Sequence, residues 1–181
     1  MPFGTPSKTD DGRYFAPYKK EDGTRLMVQL NRTRLMNAFA EPDDLTLEVT
    51  NSSPVDAIDQ SAVQSAKENR VEWFKKELAD KTLETMFINS VKDGIMNVDK
   101  VVMNDILMTK VYDWEKNPVD PDSLQDGTEC DVILECAGMW FMRKNYQLAW
   151  RVAQIRTRRP PPPPEETYPE EYMFQDAEDD E

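Results

Sequence analysis

The 181-residue chain has no histidine, so both the commonest general base and the commonest transition-metal ligand are missing. Its two cysteines, Cys130 and Cys136, lie six positions apart in CDVILEC. As a strand that spacing puts about 20 Å between them, too far for a disulfide, and two thiols without histidine do not make a zinc site. None of the six glycines belongs to a P-loop, a GxGxxG turn or a GxSxG elbow. These absences argue against an enzyme, a metal and a cofactor. No apolar run approaches the roughly 18 to 20 residues of a membrane span, and the N-terminus, MPFGTPSKTDDGRYF, lacks the apolar stretch of a secretory signal. The expectation is an intracellular protein that is not secreted and engages no membrane.

Charge is plentiful but segregated. The net charge is −13, yet residues 165–181 hold nine acidic and no basic side chains, leaving −4 for residues 1–164. Residues 136–164 carry six basic residues and no acid, and residues 13–34 carry six basic residues against Glu21 and Asp22. An acidic total therefore does not exclude a nucleic-acid partner.

Alternation marks half-buried strands in TRLMVQL (24–30) and DLTLEV (44–49). Pro54 and Asp56 introduce a helical run from Ala57 to about Leu78, with a shorter piece over 83–91 ended by Gly94, so that a helical insertion spans about 57–92. Strand patterns return in VDKVVMNDILMTKVYDW, CDVILECAGMWFMR and YQLAWRVAQIRTR, read as a meander. In the second of these, Val132, Leu134, Cys136, Trp140 and Met142 share the inward parity, and Glu135, Met139, Phe141 and Arg143 the outward one. Ala137-Gly138 suits a bulge or bend at a barrel corner. The fold class read from this pattern is mainly β with an inserted α-helix, an OB-like barrel over residues 1–159. PPPPP at 160–164 predicts a stiff polyproline II spacer, and 165–181 a disordered acidic tail.

The last hairpin interleaves aromatic and basic residues. Single strands are held by such surfaces, because bases stack on rings while Lys and Arg neutralise phosphates. The candidate nucleic-acid-binding residues are Phe141, Arg143, Lys144, Tyr146, Arg151 and Arg156 from the hairpin, with Lys110, Tyr112 and Arg25 from neighbouring strands. Trp140 and Trp150 are assigned to the core, and Tyr112 with Trp114 also fits a loop-anchoring pair. Tyr14, Phe15 and Tyr18, among Arg13, Lys19 and Lys20, repeat the mixture near the N-terminus.

A β-rich body with an inserted helix, the hairpin DVILECAGMWFMRKNYQLAWRVAQIRTR and an acidic tail with aromatics together resemble the single-stranded-DNA-binding proteins of the bacteriophage T7 type and their counterparts in large eukaryotic DNA viruses. The resemblance implies an OB-fold that coats single-stranded DNA during replication, recombination or repair, as a homodimer in many members. It places such a protein in the host nucleus or at a cytoplasmic replication site. It also implies a tail that recruits replication proteins and competes with DNA, here through Tyr168, Tyr172, Phe174, Asp176, Glu178, Asp179, Asp180 and Glu181. The family commonly ends on an aromatic, whereas this tail continues as QDAEDDE after Phe174. Two other roles fit the same features: a minor structural protein of a virus particle, and a replication or transcription accessory factor acting through the tail.

Overall fold

The computed structural model describes residues 3–36, 44–165 and 168–174. In chain order the elements are β1 (Ser7–Lys8), β2 (Tyr14–Pro17), β3 (Leu26–Leu35), β4 (Asp44–Glu48), α1 (Ser53–Glu68), α2 (Arg70–Phe74), α3 (Asp80–Met86), β5 (Val91–Lys92), β6 (Ile95–Lys100), β7 (Val102–Met103), β8 (Ile106–Leu107), β9 (Lys110–Tyr112), β10 (Glu129–Phe141) and β11 (Tyr146–Thr157). Five of the strands close a ring in the order β10, β3, β4, β6, β11 and back to β10. Their alternation supplies the interior: Val28, Leu30, Leu45, Leu47, Met96, Val98, Val132, Leu134 and Val152 are all buried inside. The molecule is a mainly β, OB-like barrel with helices inserted between β4 and β6.

The ring is not a simple meander. β10 and β11 form the expected antiparallel hairpin, but β6 and β9 both run parallel to β11. The stretch from Val98 is three strands and part of a fourth, because Asn104 and Asp105 both take positive φ and fold β7 onto β8. Gly94 likewise does not end a helix. With Asp93 it forms the positive-φ turn between β5 and β6.

The helical run starts at Ser53, with Pro54 in its first turn, and breaks twice. Asn69 leaves helical geometry, and Lys75 closes α2 in the left-handed conformation. Arg70, a misfit in an apolar stripe, secures this break by donating to the Lys67 and Leu78 carbonyls and to Asp80 Oδ1, at 2.8, 2.7 and 2.5 Å.

At Gly138 a bulge shifts the β10 register against β11 between Cys136 and Gly138. The site is a close approach: a Cβ there would lie 2.3 Å from the Ala16 carbonyl oxygen and 2.6 Å from the Phe15 ring. Glycine alone lets β2 lie across β10. One extra residue also inverts the facing of everything after it. The inward parity read for Val132, Leu134 and Cys136 is correct, but Met139 and Phe141 are buried while Trp140 turns to the outer face and Met142 is exposed.

Both cysteines are free and buried. Burial pushes their thiols up, Cys130 to about 11 and Cys136 to about 12.

Candidate nucleic-acid interface

Phe141 and Tyr146, predicted as exposed stacking rings, instead belong to the interior. Phe141 is 8% exposed and Tyr146 is fully buried. The bulge turns Phe141 inward onto Trp73 and Phe74, with centroids 5.6 and 5.5 Å apart. Tyr146 packs against Phe74 and Phe87 and donates its hydroxyl to the Leu83 carbonyl at 2.8 Å. Burial pushes its phenol well above the usual range. These rings fasten α2 and α3 to the end of the barrel, with Tyr146 wholly enclosed and Phe141 keeping a small exposed area.

Above that aromatic layer the turn of the β10–β11 hairpin, the end of α2 and the loop before β2 enclose a groove of about 890 Å³. Trp73, Phe74 and Phe141 form its floor, and Tyr14, 48% exposed, stands in its wall. Lys75, Lys76, Arg143 and Lys144 ring it, all exposed and none with an ion-pair or hydrogen-bonding partner for its side chain among the described residues. Arg13 completes the rim. Its guanidinium lies 4.1 Å above the Trp140 ring and is paired with Asp11 at 2.6 Å. Glu72 is the acid in the lining, and it accepts from Thr5 Oγ1 at 2.9 Å. The Trp73 indole N–H is buried without an acceptor among the described residues. Of the candidates named from the sequence, Arg143 and Lys144 lie on the rim of this groove. Arg13, named in the N-terminal aromatic-basic mixture, lies with them, and so do Lys75 and Lys76, which were missed although two lysines directly after the Trp73-Phe74 pair were their signal.

The remaining candidates lie on the outer face of the barrel, and two buried carboxylates hold the three arginines among them. Glu135 accepts from Arg151 at 3.0 Å and from Arg25 at 3.4 Å. Asp131 accepts from Arg156 at 2.6 Å, from Arg158 at 2.8 Å and from the Arg32 amide at 3.0 Å. Burial opposes the charge on Asp131, but these donors outweigh it and hold the carboxyl below its usual range. Each carboxylate cancels one of its two guanidiniums. Phe15 lies against Trp140 at 4.7 Å on the same face, and β9 sets Lys110 beside Gln154 and Tyr112 beside Arg156.

Among tail residues, Tyr168, Tyr172 and Phe174 are between 77 and 82% exposed, with Tyr172 and Phe174 rings 5.6 Å apart. Asp176, Glu178, Asp179, Asp180 and Glu181 lie outside the described residues. No group of acids and cysteines among the described residues could hold a metal, and no described helix is long and apolar enough to cross a membrane.

A family model matches residues 31–176, four-fifths of the chain, from the second half of β3 to the tail aromatics. The chain belongs to DUF5871, a family of unknown function. No curated protein matches this DUF5871 chain. Among solved structures it is similar to the single-stranded DNA-binding protein from bacteriophage Enc34, with a TM-score of 0.50 at 12% identity over 92% of this chain and 94% of that one. The same phage protein in complex with ssDNA gives a TM-score of 0.48 at 12% identity, covering 88% and 97% of the two chains. At that identity the likeness establishes a shared fold for the DUF5871 chain and the phage protein.

Proposed function

We propose that this protein binds single-stranded DNA with little sequence preference, and that the groove beside the hairpin turn is where the strand is first held. The observation that carries this reading is the groove's charge: four cations with no ion-pair partner among the described residues around an aromatic floor. A polyanion entering there releases its own counterions and displaces no carboxylate of the described residues from those cations. The fold shared with a phage single-stranded DNA-binding protein supports the same reading. So does the earlier resemblance to the T7 type, which extends it to coating DNA in replication, recombination or repair.

The test is the salt dependence of binding to a fluorescent oligo-dT. Each phosphate contact contributes about 0.7 to the log-log slope on single strands, so replacing Lys75, Lys76, Arg143 and Lys144 by Ala should flatten the slope by up to about 3. An unchanged slope in the folded variant removes the groove from the interface.

The tail enters as a competitor. Its nine acidic side chains mimic a short strand, and tethering keeps its effective concentration as high as about the millimolar range. In this reading the tail covers the basic surface of the free protein and passes to replication proteins once DNA displaces it. Deleting residues 165–181 should tighten oligo-dT binding several-fold at low salt, with the gain shrinking as salt rises. Equal affinities at low salt would leave the tail as a docking or solubility element.

A further inference from the structure

A second cavity, of about 300 Å³, opens on the outer face at the other end of the β10–β11 hairpin. Ile133 is its outward-facing apolar side chain, the buried Val132 and Ile155 and the Asp131 carboxylate also line it, and Tyr112 is a half-buried ring in its wall. Gln29 and Gln154 bring two amides to it. Gln29 donates Nε2 to Asn31 at 2.8 Å, which leaves its carbonyl oxygen to accept, and the Gln154 side-chain amide has no partner among the described residues. Lys116 and Arg156 stand at the edge, the latter fixed by Asp131. A flat ring, an outward-facing apolar side chain, unspent amide donors and acceptors, and a cation at the mouth are the groups that a nucleobase and its phosphate use.

We infer that this cavity is a nucleobase subsite, in which one base stacks on Tyr112 with its edge toward Gln154 and Gln29, and its phosphate lies by Lys116. The inference rests on the proposed single-stranded DNA binding and deepens it, because it gives the strand a second fixed point. Ile133 and Phe141 are eight residues apart on β10, about 26 Å along a strand. That distance corresponds to about eight nucleotides at the 3.4 Å spacing of a stacked strand. The path between the two points crosses Trp140, Arg151 and Arg25 on the outer face, where half-neutralised guanidiniums guide a backbone without gripping it.

The experiment is a length series, dT4 to dT16, bound to the full chain and to Tyr112→Ala, Tyr112→Phe and Gln154→Ala. Wild-type affinity should climb until about eight nucleotides and then level off. Tyr112→Ala should lose about tenfold on dT12 and nothing on dT4, Tyr112→Phe should behave as wild type, and Gln154→Ala, at an exposed position, should show a smaller loss confined to the longer oligomers. In parallel, a 5-iodouracil oligomer should photocrosslink to Tyr112. If wild type binds dT4 and dT12 alike, or the Gln154 and Tyr112 variants lose equally at both lengths, the subsite is wrong while single-stranded DNA binding stands. If no oligomer of any length binds, both readings fall together.

Discussion

The groove and the outer barrel face hold similar numbers of cations but prepare them differently. On the outer face Arg25 and Arg151 share Glu135, and Arg156 and Arg158 share Asp131, so four guanidiniums carry a net charge near +2. Around the groove Lys75, Lys76, Arg143 and Lys144 have no such partner among the described residues. Buried carboxylates hold the guanidiniums of the face in place, while the groove's four cations have no such partner among the described residues. A census of basic residues in the sequence does not distinguish the two, because the neutralising acids sit on the same strands as the arginines' neighbours.

The sharpest way to break the comparison is to reverse the groove. Lys75→Glu with Lys144→Glu should weaken oligo-dT binding by at least about a hundredfold at low salt, measured by anisotropy, because two attractive contacts become repulsive next to the strand. Both positions are exposed, so thermal stability should be nearly unchanged. A loss under tenfold would put the groove on a par with the outer face.

Next comes Asp131→Asn, which frees Arg156 and Arg158 and removes a buried charge that they satisfy. Breaking a fully buried pair costs about 3 to 5 kcal/mol, and with both guanidiniums partly exposed about 2 kcal/mol is expected here by denaturant unfolding. Oligo-dT binding should tighten several-fold at low salt even so, because the face gains net charge. A stability loss without tighter binding would mean that the freed arginines do not face the strand.

The same carboxyl gives a pH signature. Its folded pKa lies below the unfolded value of 3.8, so its contribution to stability is complete above about pH 4 to 5 and is lost as pH falls through the folded pKa. Wild type should therefore lose more stability than Asp131→Asn between pH 5 and pH 2. Parallel acid profiles would show that the carboxylate is not held by its arginines.

The smallest effect is expected for Arg25→Ala. Its contact with Glu135 is 3.4 Å long and its side chain is 69% exposed, and Arg151 remains as partner, so stability should change by less than about 0.5 kcal/mol. Oligo-dT binding should fall no more than about threefold. A loss as large as the groove reversal would move the primary contact to the outer face.

Much of the barrel was legible in the sequence because β3, β4 and the first half of β10 alternate cleanly and each buries one face. The two positive-φ pairs, Asp93-Gly94 and Asn104-Asp105, were harder to read. Only the first contains glycine, and the second sits inside a stretch that alternates well enough to pass as one strand. At the site, the decisive event was the single residue inserted at Ala137. The bulge itself was anticipated from Gly138, but carrying the strand parity through it unchanged placed Phe141 outside and Trp140 inside, the reverse of what the fold does. Tyr146 followed the same error, since its pairing with Phe141 sets both rings toward α2 and α3. Arg143 and Lys144 escaped it because a hairpin turn is exposed whatever the register. Lys75 and Lys76 were hidden in an assumed continuous helix, whose break at Lys75 is what turns them toward the hairpin.

The closure of the ring also fixes when the molecule can exist as it is synthesised. β10 pairs with β3, about a hundred residues earlier in the chain, and the barrel shuts only when β11 bonds to both β10 and β6. Contacts so distant in sequence pay their loop-closure entropy late, which slows folding relative to a helical domain of this size. Until Thr157 has left the ribosome, the nascent chain therefore carries open strand edges on β6 and β10, with the apolar lining of the barrel between them. That interval of exposed edges, rather than any weakness of the finished barrel, is the stage at which the chain is most open to aggregation and to chaperone capture.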